Sequence, residues 1–433
     1  MTLIEQAAAS SQPSAEPNPE PQGSSASVVK LLVALAAITA VFLLFGWGAL
    51  LLFIVILIAI VMLHELGHFL TAKWAGMKVT EYFVGFGPRL WSIRRGETEY
   101  GVKAIPAGGY VRITGFTAME EVPEEDEARA YRQQPFYQRI VVASAGSVVH
   151  LIIAFVLAII VVFAFGQPTN NVRVLSVEHW AGRATPAVLA GLKAGDVIVS
   201  IDGKTFGNPT AATDIIKRST GKELTLGIER DGRLIHLSAT PESGKGVKVD
   251  GVKLANRGYL GFTPATAVSS VSAPGAPGAA VSTMWSVTDQ EAHGIGQIFS
   301  PSGISSLWHQ LTNSHYAQKV ANNPGEAPRP ESIIGIAHLG AQAEQSNIES
   351  VLLLLIAINI VFGILNMLPM IPLDGGHVAI AAYEWVRTKK GQAYYRADIT
   401  KLFPVAAVFI GILAFVSLSA MYLDITHPIN FPH

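Results

Sequence analysis

Hydrophobic positions fall into long runs separated by polar stretches. The first run extends almost unbroken from about 28 to 70, and others follow at about 140–165, 350–371 and 403–423. As one helix, a run of about 40 residues would reach roughly 60 Å, twice the ~30 Å hydrocarbon core of a bilayer. The natural break is Phe45-Gly46-Trp47-Gly48, where the indole suits an interface. The pattern therefore predicts an extra N-terminal segment at 28–46 and a second segment over about 49–71. The expected fold class is a polytopic α-helical membrane protein with four core transmembrane helices plus this additional one. Segment 28–46 either crosses the membrane or lies at its surface.

The polar stretches carry other signatures. Residues 1–27 are rich in Ser, Pro, Gln, Ala and Glu, with no basic residue before Lys30. They lack the basic start of a secretory signal and the apolar area needed to offset ordering entropy, which predicts a disordered tail. Residues 80–113 alternate β-branched and aromatic residues with glycine punctuation, which predicts β-hairpins. These either stand in water or associate with the membrane and cover a site. Glu120 to Arg129 reads as a solvated acidic loop.

Residues 172–263 predict a compact α+β domain, with a hairpin signal at Asp231-Gly232. Residues 264–349 read as a connecting region: a linker from Pro264 to Ala280, an amphipathic helix over Gln297–Leu311 interrupted by Pro301, and a Pro-rich loop at 322–330. The membrane core is thus in two pieces, 48–165 and 350–425.

Half of the residues are hydrophobic and only 15% are charged, as expected of an integral membrane protein. A net charge of −1 without a basic block argues against nucleic acid as a partner. With no cysteine, any metal must be held by His, Asp or Glu. Lys73, Lys78, Arg89, Arg94, Arg95, Lys103 and Arg112 follow the second segment, and Arg387, Lys389, Lys390, Arg396 and Lys401 lie between the last two. The positive-inside rule places both loops in the cytoplasm and the region from about 166 to 349 outside. The chain is expected in the cell membrane.

His64-Glu65-Leu66-Gly67-His68 lies inside the second segment. Titratable side chains at membrane depth cost about 2.5–3.5 kcal/mol or more each, so three together point to function. On a helix, His64 and His68 face the same way, as two zinc ligands would, with Glu65 beside the metal as a general base. A catalytic zinc needs a third protein ligand and an open position. The candidate is Asp374 in Asn366-Met-Leu-Pro369-Met-Ile-Pro372-Leu-Asp374-Gly375-Gly376-His377, where two prolines break the helix at the same expected depth. The plain alternative is a turn at a helix end. Asn366 either faces the cleft as a hydrogen-bonding group or bridges two helices. Asn359 faces the same choice and receives no role. His377 is read as a supporting neighbour and His150 as a polar contact between helices.

Taken together, His64–His68, Gly85-Phe86-Gly87-Pro88, Gly108-Gly109-Tyr110-Val111 and Asn366–His377 resemble the site-2 proteases. In particular they resemble the regulator-of-sigma-E type with an inserted PDZ domain, over about residues 48–425. The resemblance implies a zinc metalloprotease (Zn2+ as cofactor) that cuts transmembrane segments of single-span proteins, after another protease has removed the outer part. An anti-sigma factor is the implied kind of substrate.

It further implies His64, His68 and Asp374 as metal ligands, Glu65 as the base and Asn366 as a contact to substrate or transition state. Residues 80–113 would be membrane-associated β-structure that engages unwound substrate, and 172–263 would be PDZ-like, closed by Gly258–Phe262. The chain departs from the family where Gly-Pro and then Asn are common: it has Gly146-Ser147 and His150. It also has the extra leading segment. The PDZ-like domain either binds a newly exposed end or excludes substrates with bulky outer domains. The rival readings are a PDZ scaffold with a structural or inactive metal site, and a metal transporter. The second is disfavoured because few segments carry candidate ligands.

Overall fold

A computed structural model of the chain describes residues 25–117, 120–180, 183–245, 248–249, 252–253, 257–323, 327–332, 335–336, 339–340, 348–388 and 395–429. The expected disordered tail lies outside them except for residues 25–27, as do Lys389, Lys390 and residues 324–326 of the Pro-rich loop. The chain divides into two compact units, 1–158 with 284–433, and 159–283.

The first unit opens with helix α1 (Ser25–Leu44), a turn in which Gly46 takes φ 73°, and helix α2 (Gly48–Trp74), which carries the two histidines. The break falls in the predicted tetrapeptide. At its far end α2 closes in a Schellman motif. Gly76 has φ 74°, Gly76 N–H donates to Lys73 O and Met77 N–H to Ala72 O, and Met77 and Val79 are buried as the chain turns into a sheet.

That sheet is formed by β1 (Val79–Arg95) and β2 (Thr98–Ile113), and each doubles back on itself. Residues 82–84 pair on one side with Val111, Tyr110 and Gly109, and on the other with Tyr100, Gly101 and Val102. Residues 91–95 pair with 98–102. The result is four laterally adjacent segments in the order 109–113, 79–84, 98–103, 89–95. The bend near residue 85 needs glycine: Gly85 has φ 83° and any Cβ there would press on the Ile105 carbonyl at 2.7 Å. Phe83, in an inner segment, is buried, while Phe86, Leu90 and Ile105 near the bend are exposed. Helix α3 (Phe136–Phe165) follows.

In the second unit, β3 (Gln167–Val177), β4 (Val197–Ile201), helix α4 (Pro209–Arg218), β5 (Leu224–Arg230), β6 (Arg233–Ala239) and β7 (Phe262–Ser269) build an antiparallel sheet in the order β7-β3-β4-β5-β6. The hairpin between β5 and β6 turns at Asp231 (φ 51°) and Gly232 (φ 73°), the left-handed pair of a type I′ turn. Asn208 caps α4 by accepting from Ala211 N–H at 2.7 Å, and Pro209 opens the helix. Ile198, Leu224, Leu226 and Ile228 fill the core. Each such burial is worth about 1.5–3 kcal/mol.

The linker expected from Pro264 to Ala280 is not one. Phe262–Ser269 is an edge strand on β3, and a helix begins at Ala276. Small residues and Pro264 suit an edge, where a missing N–H is tolerated. The sheet therefore runs from Gln167 to Ser269, beyond the expected 172–263.

The chain continues through α5 (Ala276–Ile298), α6 (Pro301–Thr312), α7 (Ser314–Asn322), α8 (Ile348–Asn366), α9 (Asp374–Arg387) and α10 (Phe403–Thr426). Pro301 does not interrupt an amphipathic helix over Gln297–Leu311. It starts α6, with Ser300 as the cap accepting from Gly303 N–H at 3.1 Å, because proline costs least at a first helical position. Four helices among the described residues are long and apolar enough to cross a membrane: Leu50–Trp74, Phe136–Phe165, Ile348–Asn366 and Ile399–Thr426. In α1 the apolar part, Leu31–Leu44, is shorter.

Candidate metal centre

Helix α2 brings His64 and His68 onto one face, and close packing against α3 seats them. At the crossing sits Gly67, where a Cβ would meet Ala145 O at 2.9 Å and Val149 Cγ2 at 2.8 Å, so only glycine lets the two backbones approach. Along α3, Val142, Gly146 and His150 recur every four residues and form one stripe beneath the histidines. The His68 Nδ1 lies 2.7 Å from Val142 O. A carbonyl can only accept, so Nδ1 carries the proton and Nε2 is left with a free lone pair. A Cβ on Gly146 would collide with the ring of His64. The His150 ring lies 4.9 Å from that of His64, centroid to centroid.

The third group arrives from the other half of the unit. After α8 the chain passes through Pro369 and Pro372 and enters α9 at Asp374, its first residue. Gly375 and Gly376 let this start fold back on residues 367–371: a Cβ on either would strike the backbone of Met367 or Met370. A buried ion pair ties α9 to α3. Arg139 Nη1 donates to Glu384 Oε2 at 2.5 Å, and Ala397 N–H donates to Glu384 Oε1 at 2.7 Å.

The two predicted motifs meet. His64 Nε2 and His68 Nε2 are 3.2 Å apart, and Asp374 Oδ2 lies 3.5 Å from the first and 3.3 Å from the second. Metal–ligand bonds of about 2.0–2.1 Å at tetrahedral angles would separate their ligand atoms by about 3.3 Å. Asp374 Oδ2 is buried and accepts no hydrogen bond, a costly state for a carboxylate without a cation. Spacing, donor types and this orphaned oxygen all fit a zinc ion. The carboxylate of Glu65 sits alongside, and its Oε2 accepts from Val111 N–H at 3.0 Å. Strand segment 109–113 thus touches the candidate base directly, and Gly109 packs on Met62 of α2.

Two predicted residues stand apart. Asn366 ends α8, half-buried, with no hydrogen bond from its side chain to His64, Glu65, His68 or Asp374. His377 packs on Phe116, 4.1 Å between rings, and burial pushes it down to about 4, so it is neutral near pH 7. Sequence reasoning missed the Val142 carbonyl, the Val111 N–H and the Arg139–Glu384 pair. It read His150 as a polar contact between helices, which it makes with Asn359, but did not place its ring beside His64. The four-residue recurrence of Val142, Gly146 and His150 was a usable signal, but nothing in the sequence told which face of α3 meets α2.

The sequence profile of peptidase family M50 matches residues 52–410. The chain belongs to that family, the site-2 protease family of zinc metalloproteases. It is similar to zinc metalloprotease Rip1 of Mycobacterium tuberculosis, 29% identical over 414 residues that cover 89% of this chain and 99% of Rip1. It is also similar to metalloprotease MmpA of Caulobacter vibrioides, 29% identical over 372 residues covering 79% of this chain and 88% of MmpA. Among solved structures, the PDZ domain of an SdrC-like protein from Listeria monocytogenes matches at 23% identity with a TM-score of 0.18, over 22% of this chain and 88% of that domain.

Proposed function

We propose that this multi-pass membrane protein hydrolyses peptide bonds within transmembrane segments of single-span membrane proteins, with His64, His68 and Asp374 as zinc ligands and Glu65 as general base. One observation carries the reading. Three ligand atoms stand at tetrahedral spacing beside the Glu65 carboxylate, two of them on a helix of membrane-spanning length and the third from Asp374 at the start of α9.

Bound zinc would polarise the scissile carbonyl and bring the pKa of water from 15.7 toward about 7. The Glu65 carboxylate takes the proton of the attacking water and delivers it to the leaving amine, worth about 10²–10⁴-fold. The Val111 N–H holds Oε2 of that carboxylate and so aims the other oxygen. Because this N–H faces Glu65 and not the neighbouring strand, the backbone groups of Gly109, two residues away, face the same side. An unwound substrate segment pairs along that edge, which satisfies backbone groups freed from its own helix. Asn366 stands at the end of α8 as a donor to the substrate.

The basic loops favour the metal site toward the cytoplasm and the second unit outside. That unit is read as PDZ-like, supported by Gly258-Tyr259-Leu260-Gly261-Phe262 bordering a groove of about 230 Å³ against Ile216 of α4. It acts as a size filter on substrates already trimmed outside, of the anti-sigma-factor kind.

The test is Glu65→Gln in a reconstituted assay with a single-span substrate. Cleavage is expected to fall at least about 100-fold while zinc stays bound. Unchanged cleavage overturns the assignment of the base, and a zinc-free wild-type preparation, purified without chelator, overturns the metal centre.

A further inference from the structure

His150 and Asn359 are buried polar side chains on two membrane-spanning helices, with 1% and 0% exposure, and the reaction as written above uses neither. They meet each other: His150 Nδ1 lies 3.0 Å from Asn359 Oδ1. The protons follow from the partners. Asn359 Nδ2 donates to Leu355 O at 2.8 Å, and since that carbonyl can only accept, the amide cannot be flipped. Its oxygen therefore faces His150, and His150 Nδ1 is the donor. One backbone carbonyl on α8 fixes an amide, which fixes the tautomer and the plane of an imidazole on α3.

That imidazole lies against a zinc ligand. Its centroid is 4.9 Å from the centroid of His64, with the planes 43° apart. The backbone of Gly146, one turn earlier, closes another side of the same ring. His68 has a direct partner in the Val142 carbonyl at 2.7 Å, whereas His64 Nδ1 makes no hydrogen bond of normal geometry and has only the Gly146 backbone beside it. The orientation of His64 is therefore set largely by the Gly146 backbone and the His150 ring that enclose it.

We infer that Asn359 and His150 form a hydrogen-bonded brace from α8 across α3 that holds His64 in position as a zinc ligand. Both are positioning residues. The inference rests on the metal-centre reading above, and partners of metal ligands commonly carry about 10–100-fold in affinity.

The test measures zinc affinity of the full-length protein in detergent by competition with a chromophoric chelator, alongside the visible d–d spectrum of the cobalt-substituted protein. His150→Phe keeps a ring and loses the donor; Asn359→Leu keeps the volume and loses the acceptor. Each is expected to weaken zinc by about 10–100-fold and to alter the cobalt spectrum, and the double variant to be no weaker than the worse single. Asn359→Asp, which when protonated offers one donor and one acceptor, is expected to stay within about threefold of wild type. This variant also serves if a single apolar exchange fails to fold, because loss of affinity in a folded Asn359→Asp protein contradicts the brace. Single variants that bind like wild type, or effects that multiply in the double variant, overturn it. Absence of zinc from the wild type overturns the metal centre itself and is read separately.

Discussion

Gly146 shows how much of the site depends on an absent side chain. The ring of His64 occupies the space that any Cβ at this position would need, and the neighbouring helix backbone cannot recede without moving Val142, which holds His68. Gly146→Ala is expected to cost about 1–3 kcal/mol, as overpacking does, and to lower bound zinc below one equivalent. Metal analysis and thermal unfolding of the purified variant check this. At this scale the clustering of His64, His68 and Asp374, the ligands proposed above, was legible by residue type and spacing, as was the proposed base Glu65 beside them. It was silent on the groups that orient them. Val142 O and Val111 N–H are backbone atoms, present at every position and invisible to residue identity. His150 was visible as a polar residue in an apolar run, but its distance from His64 depends on how two helices are rotated, which one helix's pattern does not encode.

Among elements, helices were read more closely than strands. Apolar length alone located α2, α3, α8 and α10, since the bilayer sets that length. The β-rich stretch at 80–113 was recognised by composition, but its doubling into four adjacent segments depends on left-handed glycines at 85 and 87 and on pairing between distant residues. Edge strand β7 was mistaken for a linker because alanine, serine and proline carry weak strand propensity.

The second unit offers a quantitative check. Asp196, buried between β3 and β5, accepts from Arg230 Nε at 2.6 Å and Nη2 at 2.7 Å, and from Lys193 N–H at 2.8 Å. Burial raises its pKa, but Arg230 and the Lys193 amide outweigh it and hold the carboxyl below the usual range. Its contribution to stability is thus complete above the ordinary aspartate pKa and is lost as the pH falls through the lower folded value. Asp196→Ala is expected to destabilise this unit toward the low end of about 3–5 kcal/mol, since Arg230 keeps partial contact with water. Urea unfolding followed by hydrogen exchange of the amides in strands β3 to β6 checks it.

In the whole molecule, the first unit is closed by a polar clasp far along the sequence from the motif. Arg329 Nη2 donates to Asp424 Oδ1 at 2.7 Å, Ser332 N–H donates to Asp424 Oδ2 at 2.8 Å, and Arg329 Nη1 donates to the His427 carbonyl at 2.8 Å. Burial, and then the nearby charge of Asp424, push Glu331 up to about 7. Between the ordinary glutamate value and about 7 the folded protein holds a proton that the unfolded chain has released, so stability falls as the pH rises through that window. The midpoint of thermal unfolding is expected to be higher at pH 5 than at pH 7.5, and Glu331→Gln to flatten the difference. An equal slope in the variant would assign the effect to another group.

The division of the first unit into pieces on either side of the second has a consequence for biosynthesis. His64, Glu65, His68 and the strand that holds Glu65 leave the ribosome early, and the helix that seats the histidines follows at once. Asp374 emerges only after the whole second unit, which at about 5–20 residues per second is a wait of roughly 10–45 s. Through that interval the nascent protein carries two imidazoles without their carboxylate, so the complete three-ligand set of the proposed zinc centre exists only in a nearly finished chain. On the proposed reading, a proteolytic centre in a bilayer full of other helices would lack its third ligand until its own translation is almost complete.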